Sequence, residues 1–88
     1  MITKKLTILN KLGLHARAAA KLVSTANKFE SKIIITKDGK NADARSIMKL
    51  LMLSASQGSS ISVEVQGIDQ NDAMAVSYTH LRAHETVH

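Results

Sequence analysis

The chain has 88 residues, of which 44% are hydrophobic, and its formal net charge is +5. This length supports one domain with a single core and leaves little room for a large substrate pocket. The absence of cysteine excludes disulfides, thiol catalysis and cysteine metal sites.

One phenylalanine and one tyrosine provide too little aromatic surface for base stacking, so we expect no nucleic-acid partner. The positive charge instead favours acidic protein partners. The N-terminus lacks the apolar core of a signal peptide, and no apolar run approaches the length of a membrane span. We therefore predict a soluble, cytoplasmic protein that forms one domain over residues 1–88 without membrane insertion.

The first two elements are predicted from apolar spacing. Residues 2–9 are rich in β-branched and aliphatic side chains, which favours a strand. From Ala16 to about Lys28, apolar residues recur at helical spacing. Basic and polar residues occupy the opposite face, so this segment should be an amphipathic helix with a basic outer stripe.

A β-hairpin is predicted next. An apolar strand around Lys32–Lys37 is followed by Asp38 and Gly39, a pair that favours a two-residue hairpin turn, and by a short return strand. Ser46 is a favourable N-cap for a short helix over residues 47–53, and Gly58 is expected to end that segment.

The last strand and helix complete the pattern. Residues 59–67, SSISVEVQG, alternate apolar and polar side chains, as in a half-buried strand, and Asp69 is placed to cap a third helix beginning near Asn71. This order of elements predicts a four-stranded antiparallel or mixed sheet with three helices on one face. The fold class is therefore an open-faced α+β sandwich.

The stretch GLHARAAAKLV, residues 13–23, contains the candidate reactive group. A neutral imidazole is nucleophilic near neutral pH, and His15 is predicted at the N-cap of the first helix. There the helix dipole favours the neutral ring, and the N–H groups of Ala16, Arg17 and Ala18 can bind phosphoryl oxygens. The Arg17 guanidinium can add a charge-assisted contact. The alternative is that His15 only caps the helix or fills a gap.

This stretch and the later segment ARSIMKLLMLSASQGSSISVEVQG together resemble the HPr family, the histidine phosphocarriers of the phosphoenolpyruvate-dependent phosphotransferase system. The similarity covers about residues 2–75. The residues that match the two family signatures are Gly13, His15, Ala16, Arg17, Ser46, Ile47 and Met48. The resemblance implies that His15 accepts a phosphoryl group on Nδ1 from enzyme I and passes it to enzyme IIA domains. It also implies an antiparallel sheet, no cofactor and no enzymatic activity beyond this carrier role, and we expect a monomer.

The resemblance assigns two further kinds of site. Ser46 matches the family's regulatory serine, which is modified by HPr kinase/phosphorylase; the alternative is a plain N-cap serine. Family partners dock on positions that match, besides Arg17, the residues Ala20, Lys21, Ser24, Ile47, Met48 and, beside them, Lys49. Core packing is the alternative for the apolar pair, and solvation is the alternative for Lys49.

Ala18 departs from the family pattern, which usually has proline at this position. Proline in the first turn fixes φ and lacks an N–H, so alanine should soften the helix start without removing the anion site. A variant branch of the family is one explanation. The second functional hypothesis is therefore a regulatory binding module that signals through phosphorylation of Ser46 or His15 without sugar transport.

Residues 76–86, VSYTHLRAHET, do not resemble the last helix of the family. They resemble one reading frame of a transposon-end adapter used in sequencing libraries, so we predict that the native sequence ends near Ala75 and that residues 76–88 are foreign. His80, His84 and His88 have helical spacing, yet in such a tail we expect no functional metal site. The tail can remain helical, with poorer packing than a native helix.

Overall fold

A computed structural model describes residues 1–9 and 12–82 of the chain. The elements in chain order are β1 (Ile2–Thr7), α1 (Ala16–Lys28), β2 (Lys32–Lys37), β3 (Lys40–Asp43), α2 (Ile47–Met52), β4 (Ser60–Gln66) and α3 (Gln70–Arg82). Within these residues, none of the helices has both the length and the apolar character needed to span a membrane.

The four strands form one antiparallel sheet in the order β1-β4-β2-β3. The long central strand β4 pairs with β1 and with β2, so that Val63 lies opposite Lys4 on one side and Ile35 on the other. The β2–β3 hairpin reverses at Asp38 and Gly39, whose φ values of 51° and 79° are those of the expected tight turn. The antiparallel open-faced α+β sandwich is confirmed.

One face of the sheet and the inner faces of the helices form the core. The alternate β4 residues Ile61, Val63 and Val65 are buried, as period-2 patterning requires. On α1, the buried residues Ala19, Leu22 and Ala26 recur at helical spacing and belong to the same core. Apolar periodicity thus sets which side of α1 packs inward, and so how its N-terminus is presented.

The glycine expected to end α2 has another role. The helix stops at Met52, and Ser54 adopts a positive φ of 53°, which turns the chain away before Gly58 is reached. Gly58 lies in the turn before β4, and its N–H donates to the Ile8 carbonyl at 2.9 Å. The predicted helix over residues 47–53 agrees with α2 within one residue, but the left-handed Ser54, and not Gly58, turns the chain at its end.

Asp69 immediately precedes α3, but its carboxylate does not cap that helix. It accepts backbone N–H donors from Glu30 and Ser31, each at 2.9 Å, and the Ser31 hydroxyl. Its own carbonyl accepts the Ala73 N–H at 2.9 Å. The carboxylate therefore ties the start of α3 to the segment that follows α1.

Helix α3 continues beyond Ala75 to Arg82. Leu81 is buried, and Lys4 Nζ lies 5.2 Å from the Tyr78 ring centroid. The Ser77 hydroxyl is buried without a hydrogen-bond partner among the described residues. His80 is exposed, and no group of residues that could hold a metal occurs in the described ranges. His84 and His88 lie outside the described residues, and the foreign origin of residues 76–88 stays a prediction.

The contacts of Asp69 predict an acid-dependent stability. The Ser31 hydroxyl and, after it, the Glu30 N–H lower the pKa of Asp69 from its ordinary value of 3.8. A lowered folded-state pKa stabilises the fold above the unfolded value, and this contribution is lost as the pH falls through the folded value. Urea unfolding of the parent and of Asp69→Asn should therefore differ at pH 7 and converge at strongly acidic pH.

The matched control for this experiment is Asp38→Asn. Asp38 is exposed and has a left-handed conformation that asparagine tolerates. This control should leave the pH dependence of stability close to that of the parent chain. An Asp69→Asn variant with the parent's full acid dependence would contradict the assignment.

Candidate functional site

The approach of the chain to His15 is fixed by a close backbone contact. Gly13 has a φ of 66°, and a Cβ at this position would contact the Ala55 carbonyl oxygen and lie 2.8 Å from the Ser56 Cα. The next residue, Leu14, is buried and donates its N–H to the Ala55 carbonyl at 2.7 Å. Only glycine combines this conformation with this proximity.

His15 is the N-cap of α1, as predicted, with an extended backbone at φ −84° and ψ 176°. Its carbonyl accepts the Ala19 N–H at 2.9 Å. Its ring nitrogen Nδ1 accepts from the Arg17 N–H at 3.2 Å and from the Ala18 N–H at 3.4 Å. The Nδ1 lone pair is therefore directed at amides that have no partner within the helix backbone, and in this arrangement the proton of the neutral ring belongs on Nε2.

The surroundings of the ring are electropositive. The first turn of α1 contains no acidic residue, and its N–H groups and the exposed Arg17 side chain contribute positive charge there. Ala16 and Ala20 are exposed and small, which leaves the half-buried imidazole open to approach. This arrangement can hold an anion at the ring.

The contact from Ala18 was missed by the sequence analysis. The substitution of the family's usual proline was expected only to soften the helix start. In the structure the Ala18 N–H is one of the two donors to Nδ1, and a proline nitrogen has no hydrogen to donate. The signal was present in the sequence, because the third residue after an N-cap donates to the cap side chain in many helices.

Ser46 caps α2, as predicted. Its Oγ accepts the Lys49 N–H at 3.3 Å, and the residue is half-buried. The preceding Arg45 turns toward α1, where its guanidinium donates to the Phe29 carbonyl at 2.9 Å and to the Ala26 carbonyl at 3.4 Å. The chain next to Ser46 therefore also closes the C-terminal end of α1.

The six candidate docking residues are all exposed, and they lie on two helices that contact each other, α1 and α2: Ala20, Lys21, Ser24, Ile47, Met48 and Lys49. Ile47 is 39% exposed and Met48 is 69% exposed, so neither is a core residue. Met52, which the sequence analysis did not name, is 70% exposed and lies one helical turn after Met48.

The family model described as "PTS HPr component phosphorylation site" matches residues 2–77. The chain belongs to the HPr family. Phosphocarrier protein HPr from Xylella fastidiosa strain Temecula1 is 49% identical over 74 residues, which cover 84% of this chain and 83% of that relative. The HPr-like protein Crh from Halalkalibacterium halodurans is 45% identical, with coverages of 84% and 88%.

Solved structures of HPr proteins agree with the fold. The crystal structure of HPr-C-His from Thermoanaerobacter tengcongensis superposes with a TM-score of 0.87 at 40% identity, covering 92% of this chain and 91% of that one. An HPr dimer from the same organism superposes with a TM-score of 0.69 at 41% identity, covering 89% and 90%. Because dimers occur among HPr structures, the monomeric state of this chain stays a prediction.

The Gly13 contact predicts an unusual cost for an added methyl group. Gly13→Ala should lower the free energy of unfolding by about 3 kcal/mol, because backbone strain and overpacking each cost about 1–3 kcal/mol. Gly39→Ala is the matched control, since Gly39 has a φ of 79° but nothing within 4 Å of an added Cβ. It should lose only the strain component, about 1 kcal/mol. Equal losses in urea unfolding would show that the contact with residues 55 and 56 is unimportant.

Proposed function

We propose that this chain carries phosphoryl groups in a phosphotransferase system, accepting them on His15 Nδ1 from phospho-enzyme I and passing them to enzyme IIA domains. The observation that supports this role is the position of Nδ1, 3.2 Å from the Arg17 N–H at the start of α1. A helix N-terminus binds phosphate well because its amides are unpaired and its dipole is positive. The carrier needs no cofactor of its own for this role, and we propose that it acts as a cytoplasmic monomer.

The transfer begins with a movement of the imidazole. In the resting arrangement the Nδ1 lone pair accepts from the Arg17 and Ala18 amides, so the ring must turn before that lone pair can attack phosphorus. A phosphorus–nitrogen bond then forms while the bond from phosphorus to the donor's leaving group breaks, and the proton on Nε2 remains in place. The same exchange in reverse loads an acceptor.

The amides change partners during this exchange. They lose a neutral ring nitrogen as acceptor and gain phosphoryl oxygens, and hydrogen bonds to charged acceptors are about twice as strong as neutral ones. The exposed Arg17 guanidinium can follow the arriving charge, since it offers several donors on a flexible stem. The helix terminus thus stabilises the loaded carrier more than the empty one.

Docking would use the exposed surface described above. Ile47 and Met48 provide apolar contact, while Lys21 and Lys49 provide positive charge toward acidic partners. Ala20 and Ser24 are small and exposed, which permits close approach along α1. A surface of six residues on two helices is small, and small interfaces suit the brief encounters that a relay requires, because each partner must leave before the next one binds.

The second candidate function is regulation through Ser46, with HPr kinase/phosphorylase as partner. Ser46 lies beside Ile47 and Met48, so a phosphate there would add about two negative charges to a surface suited to acidic partners. Docking would weaken as a result. The similarity to Crh supports this candidate, and one solved Crh structure is described as the Bacillus subtilis catabolite repression HPr.

The carrier role predicts a specific modification. Incubation with phosphoenolpyruvate and enzyme I should place acid-labile phosphate on the parent chain, and His15→Ala should take up none, because no other ring lies at a helix N-terminus in the described residues. His80→Ala is the control and should be labelled like the parent, since His80 is exposed on α3. No labelling of the parent chain would contradict the proposal and favour the regulatory module, and labelling of His15→Ala would contradict it by placing the phosphate on another residue.

The Ala18 N–H predicts that Ala18→Pro and Ala18→Gly differ in their phosphorylation equilibrium, and a change in fold stability would not produce this difference. Ala18→Pro removes one donor, worth about 1 kcal/mol, so the equilibrium constant for phosphoryl transfer from phospho-enzyme I should fall by about fivefold. Ala18→Gly keeps the N–H and should retain the parent's equilibrium despite its lower helix propensity. Phosphorus NMR measures the two populations. An unchanged equilibrium in Ala18→Pro would show that this amide does not contact the phosphoryl group.

A further inference from the structure

A groove of about 460 Å³ lies between the edge strand β3 and the C-terminal half of α2, and it is lined by Lys40, Asn41, Lys49, Met52 and Leu53. Leu53 is buried, and Met52 is 70% exposed, so together they offer an apolar surface within the groove. The two lysines come from different elements, Lys40 from β3 and Lys49 from α2. The groove thus combines one apolar surface with two positive charges.

The charges in the groove are not neutralised within the described part of the chain. No carboxylate in residues 1–9 and 12–82 lies within 4 Å of the ammonium group of Lys40 or Lys49, and the one ion pair described there joins Lys37 and Asp38 at 3.7 Å. Lys37 has a different role, because its ammonium donates to the carbonyls of Leu53 and Ser54 at 3.3 and 3.1 Å. It holds the backbone at one end of the groove, while Lys40 and Lys49 remain available to a ligand.

The groove is continuous with the docking surface. Met48 and Met52 are one helical turn apart on α2 and are both exposed, so one partner surface can cover both side chains. Lys49 belongs to both surfaces. A chain segment of that protein could therefore extend from Met48 into the groove and meet Lys40 on the far side.

We propose that this groove binds an acidic segment of a partner protein, with an apolar side chain on Met52 and Leu53 and with carboxylates beside Lys40 and Lys49. The inference rests on the proposed carrier function, since it extends the same docking surface. Charge complementarity selects the occupant, because the lining offers two ammonium groups and no carboxylate. The groove would thereby help to select partners at a distance from the phosphoryl exchange on His15.

The test uses enzyme I as the probe and titration calorimetry as the measurement. Lys40→Glu should raise the dissociation constant about tenfold, because it places like charges opposite each other in the contact. Lys32→Glu is the matched control: Lys32 is an exposed strand lysine that does not line the groove. It should change the constant by less than about twofold, as expected for a charge outside the contact.

A second variant distinguishes the apolar contribution of Met52 to binding from the electrostatic contribution of Lys40. Met52→Ala should raise the dissociation constant about fivefold and leave its salt dependence unchanged, whereas Lys40→Glu should reduce the salt dependence. Circular dichroism spectra like those of the parent establish that both variants fold. Binding of Lys40→Glu within twofold of the parent, or equal weakening by Lys32→Glu, would overturn the groove proposal.

Phosphorylation of the parent chain in the same preparation keeps the two proposals distinguishable. If the parent is not labelled on His15, the carrier function fails. If the parent is labelled normally and Lys40→Glu binds like the parent, only the groove proposal fails.

Discussion

The N–H groups at the start of α1, which donate to His15 and not to the helix backbone, are the constraint on which this structure depends. They act on His15 only if the helix begins at one residue and its axis keeps one direction. At that end, the left-handed Gly13 and the Leu14 hydrogen bond to Ala55 hold the chain against the loop before β4. The hydrogen bond from the Arg17 N–H to His15 Nδ1 therefore depends on the loop at Ala55, which lies about 40 residues away in the sequence.

The C-terminal end of α1 is also fixed by specific hydrogen bonds. Arg45 donates to the carbonyls of Phe29 and Ala26 at the helix end, and the Ala26 carbonyl also accepts the Phe29 N–H. The Asp69 carboxylate then binds the N–H groups of Glu30 and Ser31, directly after the helix. Both contacts are polar, so they fix position more than they add apolar burial. The buried side of α1 supplies the packing, and these contacts supply the orientation that an anion site needs.

Local patterns predicted the features that local physics decides. The bounds of α1 and the cap at His15 follow from apolar spacing and from a polar residue before it, and the alternation of β4 follows from one buried face. Asp69 shows the limit of such patterns. Its place before α3 is a local signal, whereas its bonds to residues 30 and 31 depend on how the chain folds back. The hydrogen bond from the Ala18 N–H and the exposure of Met52 likewise became visible only in the three-dimensional structure.

The segment after Ala75 separates helix formation from packing. Residues 76–82 are helical, and Leu81 is buried, so the segment forms a regular helix backbone and places an apolar side chain in the core. The Ser77 hydroxyl is nevertheless buried with no partner among the described residues, which costs about 1–3 kcal/mol relative to a matched apolar group. Helical propensity requires little of a sequence, whereas a core requires complementary side chains at each position. A helical segment can therefore satisfy the first requirement without the second, and at Ser77 the two diverge.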